Sequence, residues 1–341
     1  MDTLFLHYIS SSAAPALFLI IAVLIYFLSK GADLLVDEAL ALSVRLRIPK
    51  VLVGLTIVSV GTTIPEAAVS VIAAVDGRPE IALGNAVGSV ICGTGLILGL
   101  ITLFAPISLS SSLVKRQGWF QLFVGVLLVL SCIPFFTAGN FLKTGGILSQ
   151  RMGMVFLGLL GVYLLGSLHW LRKKDPVNAQ ENIVTENSHI ITTLGKIILG
   201  SGFVVIASHF LIPTVEEAAL RLHISEGAVS ATLVAFGTSL PELVTSITAV
   251  RKGHGELALG NIIGANILNV LFVAGAAASV TSQGLAAPVH FFTVLFPAMI
   301  ATLVIFGMGV HLSGSVFKKP FSVMLLTIYA VVTLSSYLVA A

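Results

Sequence analysis

Apolar residues in this chain come in long unbroken blocks, and polar residues collect at the joints between them. A helix crosses hydrocarbon in about 20 residues. Blocks of that order lie at roughly 13–44, 50–75, 80–105, 117–137, 152–171, 190–222, 227–250, 256–280, 287–311 and 320–340. Short Pro- and Gly-marked joints leave no room for an extramembrane domain. The pattern predicts an all-α polytopic membrane protein of ten transmembrane helices. The only polar linker of note, 172–189, carries Asp175, Pro176, Asn178, Gln180, Asn182 and Asn187, and it parts the chain into five-helix halves, 1–171 and 190–341.

Composition strengthens this reading. Of 341 residues, 57% are hydrophobic and 10% charged, too few charges to cover a soluble protein of this size. With the N-terminus outside, thirteen Lys and Arg fall in cytoplasmic loops and in the linker, against four (Arg78, Lys143, Arg151 and Arg221) in the outer ones; this is the positive-inside bias. The basic residues form no continuous patch, which argues against nucleic acid as a partner and leaves lipid as the surroundings. Cys92 and Cys132 lie within apolar spans and read as small packing residues.

The halves are related. A shift of 176 positions lays Thr62, Pro65 and Glu66 on Thr238, Pro241 and Glu242, and Asn85 and Gly88 on Asn261 and Gly264. Glu80–Gly88 and Glu256–Gly264 agree at six of nine positions. This is an internal duplication. An odd number of helices per half inverts the second copy in the membrane. Inverted repeats with interrupted helices meeting at the midplane are a secondary-transporter architecture. The repeated cores run over about 50–105 and 227–280.

Each repeat carries Gly-Thr-[Thr/Ser]-x-Pro-Glu: Gly61–Glu66 and Gly237–Glu242. A carboxylate at that depth costs several kcal/mol unless it is paired, coordinated or protonated. The preceding proline frees the carbonyl four residues back, here Gly61 and Gly237. The hydroxyls of Thr62, Thr63, Thr238 and Ser239 lie within a turn of the acids, although helical hydroxyls also bond back to their own backbone. Asn85 and Asn261 read as amides that cap or bridge interrupted helices. Gly84, Gly88, Gly260 and Gly264 allow close helix approach. Oxygen donors without a His or Cys cluster suit a hard cation, Ca²⁺, Na⁺ or Mg²⁺. The chain therefore reads as a cation transporter. An intramembrane hydrolase would need a nucleophile–His pair or an HExxH motif, neither of which occurs. A passive channel suits two buried acids on inverted helices less well than a closed, alternating site. Asp33, Asp37, Glu38, Glu216 and Glu217 fall near the membrane faces, as interfacial groups or lining for ion-access paths.

The paired motifs resemble the α-repeats of the Ca²⁺/cation antiporter superfamily, and the layout resembles the prokaryotic Na⁺/Ca²⁺ exchangers across essentially the whole chain. The resemblance implies alternating-access exchange of Ca²⁺ for Na⁺ in a bacterial or archaeal cell membrane, with no cofactor. It also implies Glu66 and Glu242 as shared central ligands. Thr62 and Thr238 would be adjacent ligands, with the carbonyls of Ser59 and Ala235 nearby, and Ser89 would line a flanking Na⁺ site. Three positions depart from the family pattern. Ala265 replaces a serine, Gly93 an asparagine and Asn269 the aspartate common in prokaryotic members. Two formal negative charges then remain, enough for one Ca²⁺ or two protons, so H⁺/Ca²⁺ antiport is the alternative reading.

Overall fold

The computed structural model describes residues 2–12, 14–109, 112–134, 141–172, 190–222 and 238–340. Their helices of ten or more residues, in chain order, are α1 (Asp2–Ser11), α2 (Ala14–Leu46), α3 (Lys50–Val75), α4 (Pro79–Phe104), α5 (Ser112–Cys132), α6 (Gln150–Arg172), α7 (Ile190–Arg221), α8 (Leu240–Arg251), α9 (Gly255–Ser279), α10 (Phe291–Leu312) and α11 (Lys319–Ala340). Eight of them, α2–α7, α9 and α10, are long and apolar enough to cross a membrane. The apolar part of α11 is shorter, and the expected span 227–250 lies partly outside the described residues. The linker's residues 173–189 also fall outside them.

α9 is almost wholly buried, as a helix at the centre of a bundle must be, and carries Asn261, Asn266 and Asn269 among its apolar residues. It packs against α3 through small residues. A Cβ added at Gly54 would collide with the Leu257 carbonyl, and one at Gly260 with the Val51 carbonyl. α2 and α7 form a separate pair. Gly31 and Gly200 let their backbones meet, and Leu28, Ala32, Val204, Ala207 and Leu211 fill a small core apart from the main one. Contact between α3 and α7 comes at Gly61, where a Cβ would stand 2.5 Å from Ser201 Oγ.

Two features differ from the sequence expectation. α3 does not break at Pro65, which sits inside the helical stretch Ser59–Val75. Instead, helices open into π turns at Gly54–Val58, Cys92–Leu98, Asn269–Ala274 and Phe291–Leu295. A wide turn shifts the backbone ladder by one residue without ending the helix, and such turns gather at functional sites. The span expected from 287 begins at Phe291, because Leu285–Ala287 forms strand β2. It pairs antiparallel with β1 (Gly146–Leu148), Gly146 opposite Ala287 and Leu148 opposite Leu285. Ser108 bridges Val316 in a comparable way, so the linkers after α4 and after α9 each bind another loop.

Candidate cation site

Glu66, on α3, is fully buried, and Glu242, in the first turn of α8, is 4% exposed. All four carboxylate oxygens lack a hydrogen-bond partner. The two acids are electrostatic neighbours, and the Glu242 carboxyl also faces Thr62 and Thr63. The structure thus brings Glu66, Glu242, Thr62 and Thr63 together. Cys92, expected only to pack, lies against Ser239 and Tyr329 and within electrostatic reach of both glutamates.

A hydrogen-bond lattice frames the acids. Thr62 Oγ1 donates to Asn261 Oδ1 at 3.5 Å, and Asn261 Nδ2 donates to Ser246 Oγ at 3.3 Å. Thr238 Oγ1 donates to Asn85 Oδ1 at 3.1 Å, and Asn85 Nδ2 donates to Ser70 Oγ at 2.9 Å. Each member of the first chain lies 176 positions from its counterpart in the second. Asn85 makes one bond more, to the Glu66 carbonyl at 3.2 Å. Ser70 and Ser246 are legible in the sequence only through the 176-residue offset, since neither belongs to the repeated Gly-Thr or Gly-Asn motifs.

The remaining candidates are placed as follows. Thr63 Oγ1, Ser89 Oγ and Asn269 Oδ1 are buried and unpartnered. Ser59 is fully buried; its carbonyl is approached by the Thr62 hydroxyl at 3.3 Å, so that carbonyl is already partly engaged. Ser239 is buried in the turn that precedes α8. Ala235 and Gly237 lie outside the described residues. Of the acids expected at the faces, Asp33, Asp37, Glu38 and Glu217 are partnered with bases. Lys252 Nζ meets Asp37 at 2.7 Å and Asp33 at 3.2 Å, Lys196 meets Glu38 at 2.8 Å, and Arg221 meets Glu217 at 2.8 Å. Paired, buried carboxylates with free lone pairs, amid hydroxyls and amide oxygens, form a donor set for a hard, dehydrated cation. No group of three or more His, Cys, Asp or Glu among the described residues is arranged to hold a metal ion, so any hard cation would need neutral oxygens as well.

The family model for sodium/calcium exchanger proteins matches residues 16–169 and 192–338. The inner membrane protein YrbG of Escherichia coli is 32% identical over 258 residues, covering 74% of this chain and 76% of that protein. The sodium/calcium exchanger MaX1 of Methanosarcina acetivorans is 31% identical over 311 residues, covering 83% and 88%. Among solved structures, the sodium-calcium exchanger NCX_Mj soaked with Na⁺ and Sr²⁺ has the same fold, with a TM-score of 0.76 and 24% identity over 94% of this chain and 98% of that one.

Proposed function

The chain belongs to the sodium/calcium exchanger protein family, and from that premise we propose that it is a secondary active antiporter that moves Ca²⁺ across a membrane in exchange for Na⁺. Glu66 and Glu242 are the shared ligands of a site exposed alternately to the two faces. The observation that carries this reading is the buried carboxylate pair with four unpartnered oxygens. Two such anions repel each other and have lost their water, a cost that a divalent cation offsets by neutralising both. Thr62, Thr63, Thr238 and Ser239, the Ser59 and Ala235 carbonyls, Ser89 and Asn269 complete the oxygen set.

In this reading ten spans form two inverted halves, 1–171 and 190–341, with the N-terminus outside and the 172–189 linker cytoplasmic. Its support is the pair of hydrogen-bond chains related by 176 positions, which cross between the halves in both directions. The π turns Cys92–Leu98 and Asn269–Ala274 also fall at matching places. Within the same fold, Ala265 and Gly93 favour a second reading, H⁺/Ca²⁺ antiport. Neither offers a side-chain oxygen, and two carboxylates match two protons better than three Na⁺. The deciding experiment is ⁴⁵Ca²⁺ uptake into proteoliposomes with outward gradients of Na⁺, K⁺ or H⁺ imposed one at a time. Uptake driven by Na⁺ alone is expected. Full-rate uptake on a pH gradient without Na⁺, with no response to Na⁺, would replace the first reading by the second.

A further inference from the structure

A second set of buried polar groups lies outside the glutamate pair. Asn266, on α9 and 3% exposed, donates from Nδ2 to Thr94 Oγ1 at 2.8 Å and to Gln121 Oε1 at 3.0 Å. These bonds commit its NH₂ group and set the orientation of the amide. Its Oδ1 is left buried and unpartnered. That oxygen sits over Gly93: a Cβ built there would stand 2.9 Å from it. Gly93 follows Cys92, the residue in reach of both glutamates and against Ser239. Under the 176-residue offset Gly93 matches Asn269, and Asn266 matches Val90. The first half therefore lacks an amide where the second has one, and the second has an amide where the first has valine.

We infer that Asn266 presents its carboxamide oxygen to the cation site through the opening at Gly93, taking the place of the side chain that position 93 lacks. The inference rests on the exchanger reading and adds a selectivity-determining ligand to it. Thr94 and Gln121 hold the half of the amide that a cation repels and leave free the half that it attracts. A neutral oxygen raises the coordination number without changing the two-charge balance, the kind of donor by which cation sites are tuned. An acceptor left unpaired in the core carries a cost that a bound cation would offset.

The test is ⁴⁵Ca²⁺ uptake by the full chain in proteoliposomes, measured against Ca²⁺ concentration, with the melting temperature of each purified protein recorded alongside. Asn266→Ala removes the oxygen. Gly93→Ala leaves Asn266, Thr94 and Gln121 in place and pushes the oxygen aside. Each is expected to raise the apparent KM for Ca²⁺ on the order of tenfold, the scale of lost supporting contacts around a metal, and Gly93→Ala, which keeps the Thr94 and Gln121 side chains and their amide partner, is expected to melt closer to wild type than Asn266→Ala. Unchanged KM in both folded variants overturns the inference. So does a loss confined to Asn266→Ala and accompanied by lower stability, since that marks a structural network. In both cases wild-type uptake leaves the exchanger reading standing. A wild-type protein that carries no Ca²⁺ overturns both.

Discussion

α4 and α9 open on nearly the same nine residues and then diverge. In α4 the sequence continues Ser89, Val90, Ile91, Cys92, Gly93; in α9 it continues Ala265, Asn266, Ile267, Leu268, Asn269. Before that point lie the residues that bind the halves together: Asn85 takes a bond from Thr238, and Asn261 takes one from Thr62. Change on one side alone would leave a buried partner without its hydrogen bond, so the two copies are held alike there. Beyond it the halves carry different buried, unpartnered neutral oxygens, Ser89 Oγ in one and Asn266 Oδ1 and Asn269 Oδ1 in the other, while the acids stay matched. The difference teaches that the acids and the hydrogen-bonded scaffold repeat between the halves and the neighbouring neutral oxygens do not. The prolines differ too. Pro65 lies mid-helix, and Pro241 lies in the first turn of α8, where its missing N–H costs nothing.

If the charge is shared evenly, either acid should be indispensable. Glu66→Gln and Glu242→Gln are each expected to reduce ⁴⁵Ca²⁺ uptake to the protein-free background while folded yield is kept, because each substitution retains shape and removes half of the charge that balances Ca²⁺. Near-normal transport in one variant only would break the symmetry at its centre.

The asymmetric positions come next. Asn269→Asp adds a third negative charge and is expected to raise apparent Na⁺ affinity about tenfold, ~1.4 kcal/mol. Ala265→Ser restores an oxygen opposite Ser89 and is expected to give about threefold, on the order of 0.7 kcal/mol. Both are read from the Na⁺ concentration that half-drives Ca²⁺ uptake. No gain in Na⁺ response from either change, alone or combined, would favour proton exchange.

A smaller contrast tests the scaffold. Asn85→Ala and Asn261→Ala each remove a threonine's hydrogen bond across the halves, at about 1 kcal/mol, and Thr62 keeps the Ser59 carbonyl as an acceptor. Asn85→Ala also removes the bond to the Glu66 carbonyl, so it is expected to melt lower than Asn261→Ala by a few degrees. Equal melting temperatures would mean that this extra bond contributes nothing.

The all-helical membrane architecture was legible in the sequence, because long apolar blocks are signals that local detail does not blur; eight of the ten expected spans appear among the described residues as helices long and apolar enough to cross. The acids announced themselves by their cost in hydrocarbon. Two kinds of feature stayed hidden. The π turns and the β1–β2 pairing arise from tertiary packing and leave no periodic mark on the residues that form them. The Thr94–Asn266–Gln121 cluster has no counterpart under the offset, since Val270 and Pro297 stand at the positions matching Thr94 and Gln121. A single buried amide in an apolar run carries no sign of where its oxygen points.

The last contrast lies at the membrane faces. Lys252, just beyond α8, ties that helix to Asp33 and Asp37 of α2. The position matching Lys252 is Asp76, and the partner positions are His209 and Pro213, so the same latch cannot form after α3. Partial burial disfavours the Lys252 ammonium, but the Asp37 and Asp33 carboxylates outweigh it and hold its pKa above the ordinary lysine value. On the alkaline side the latch is therefore kept through neutral pH and is lost as pH rises through that elevated value. An exposed ion pair contributes about 0–1 kcal/mol, so Lys252→Gln should move the balance between the two open states by less than about fivefold. Lys252→Glu, which sets three acids together, should move it further in the same direction. The readout is the ratio of half-saturating Ca²⁺ measured from the two sides of oriented vesicles. The wild-type ratio should also drift toward that of Lys252→Gln as salt is raised, because screening weakens the pairs. A ratio that ignores both substitutions and salt would mean that the ion pairs decorate the face without biasing the exchange cycle.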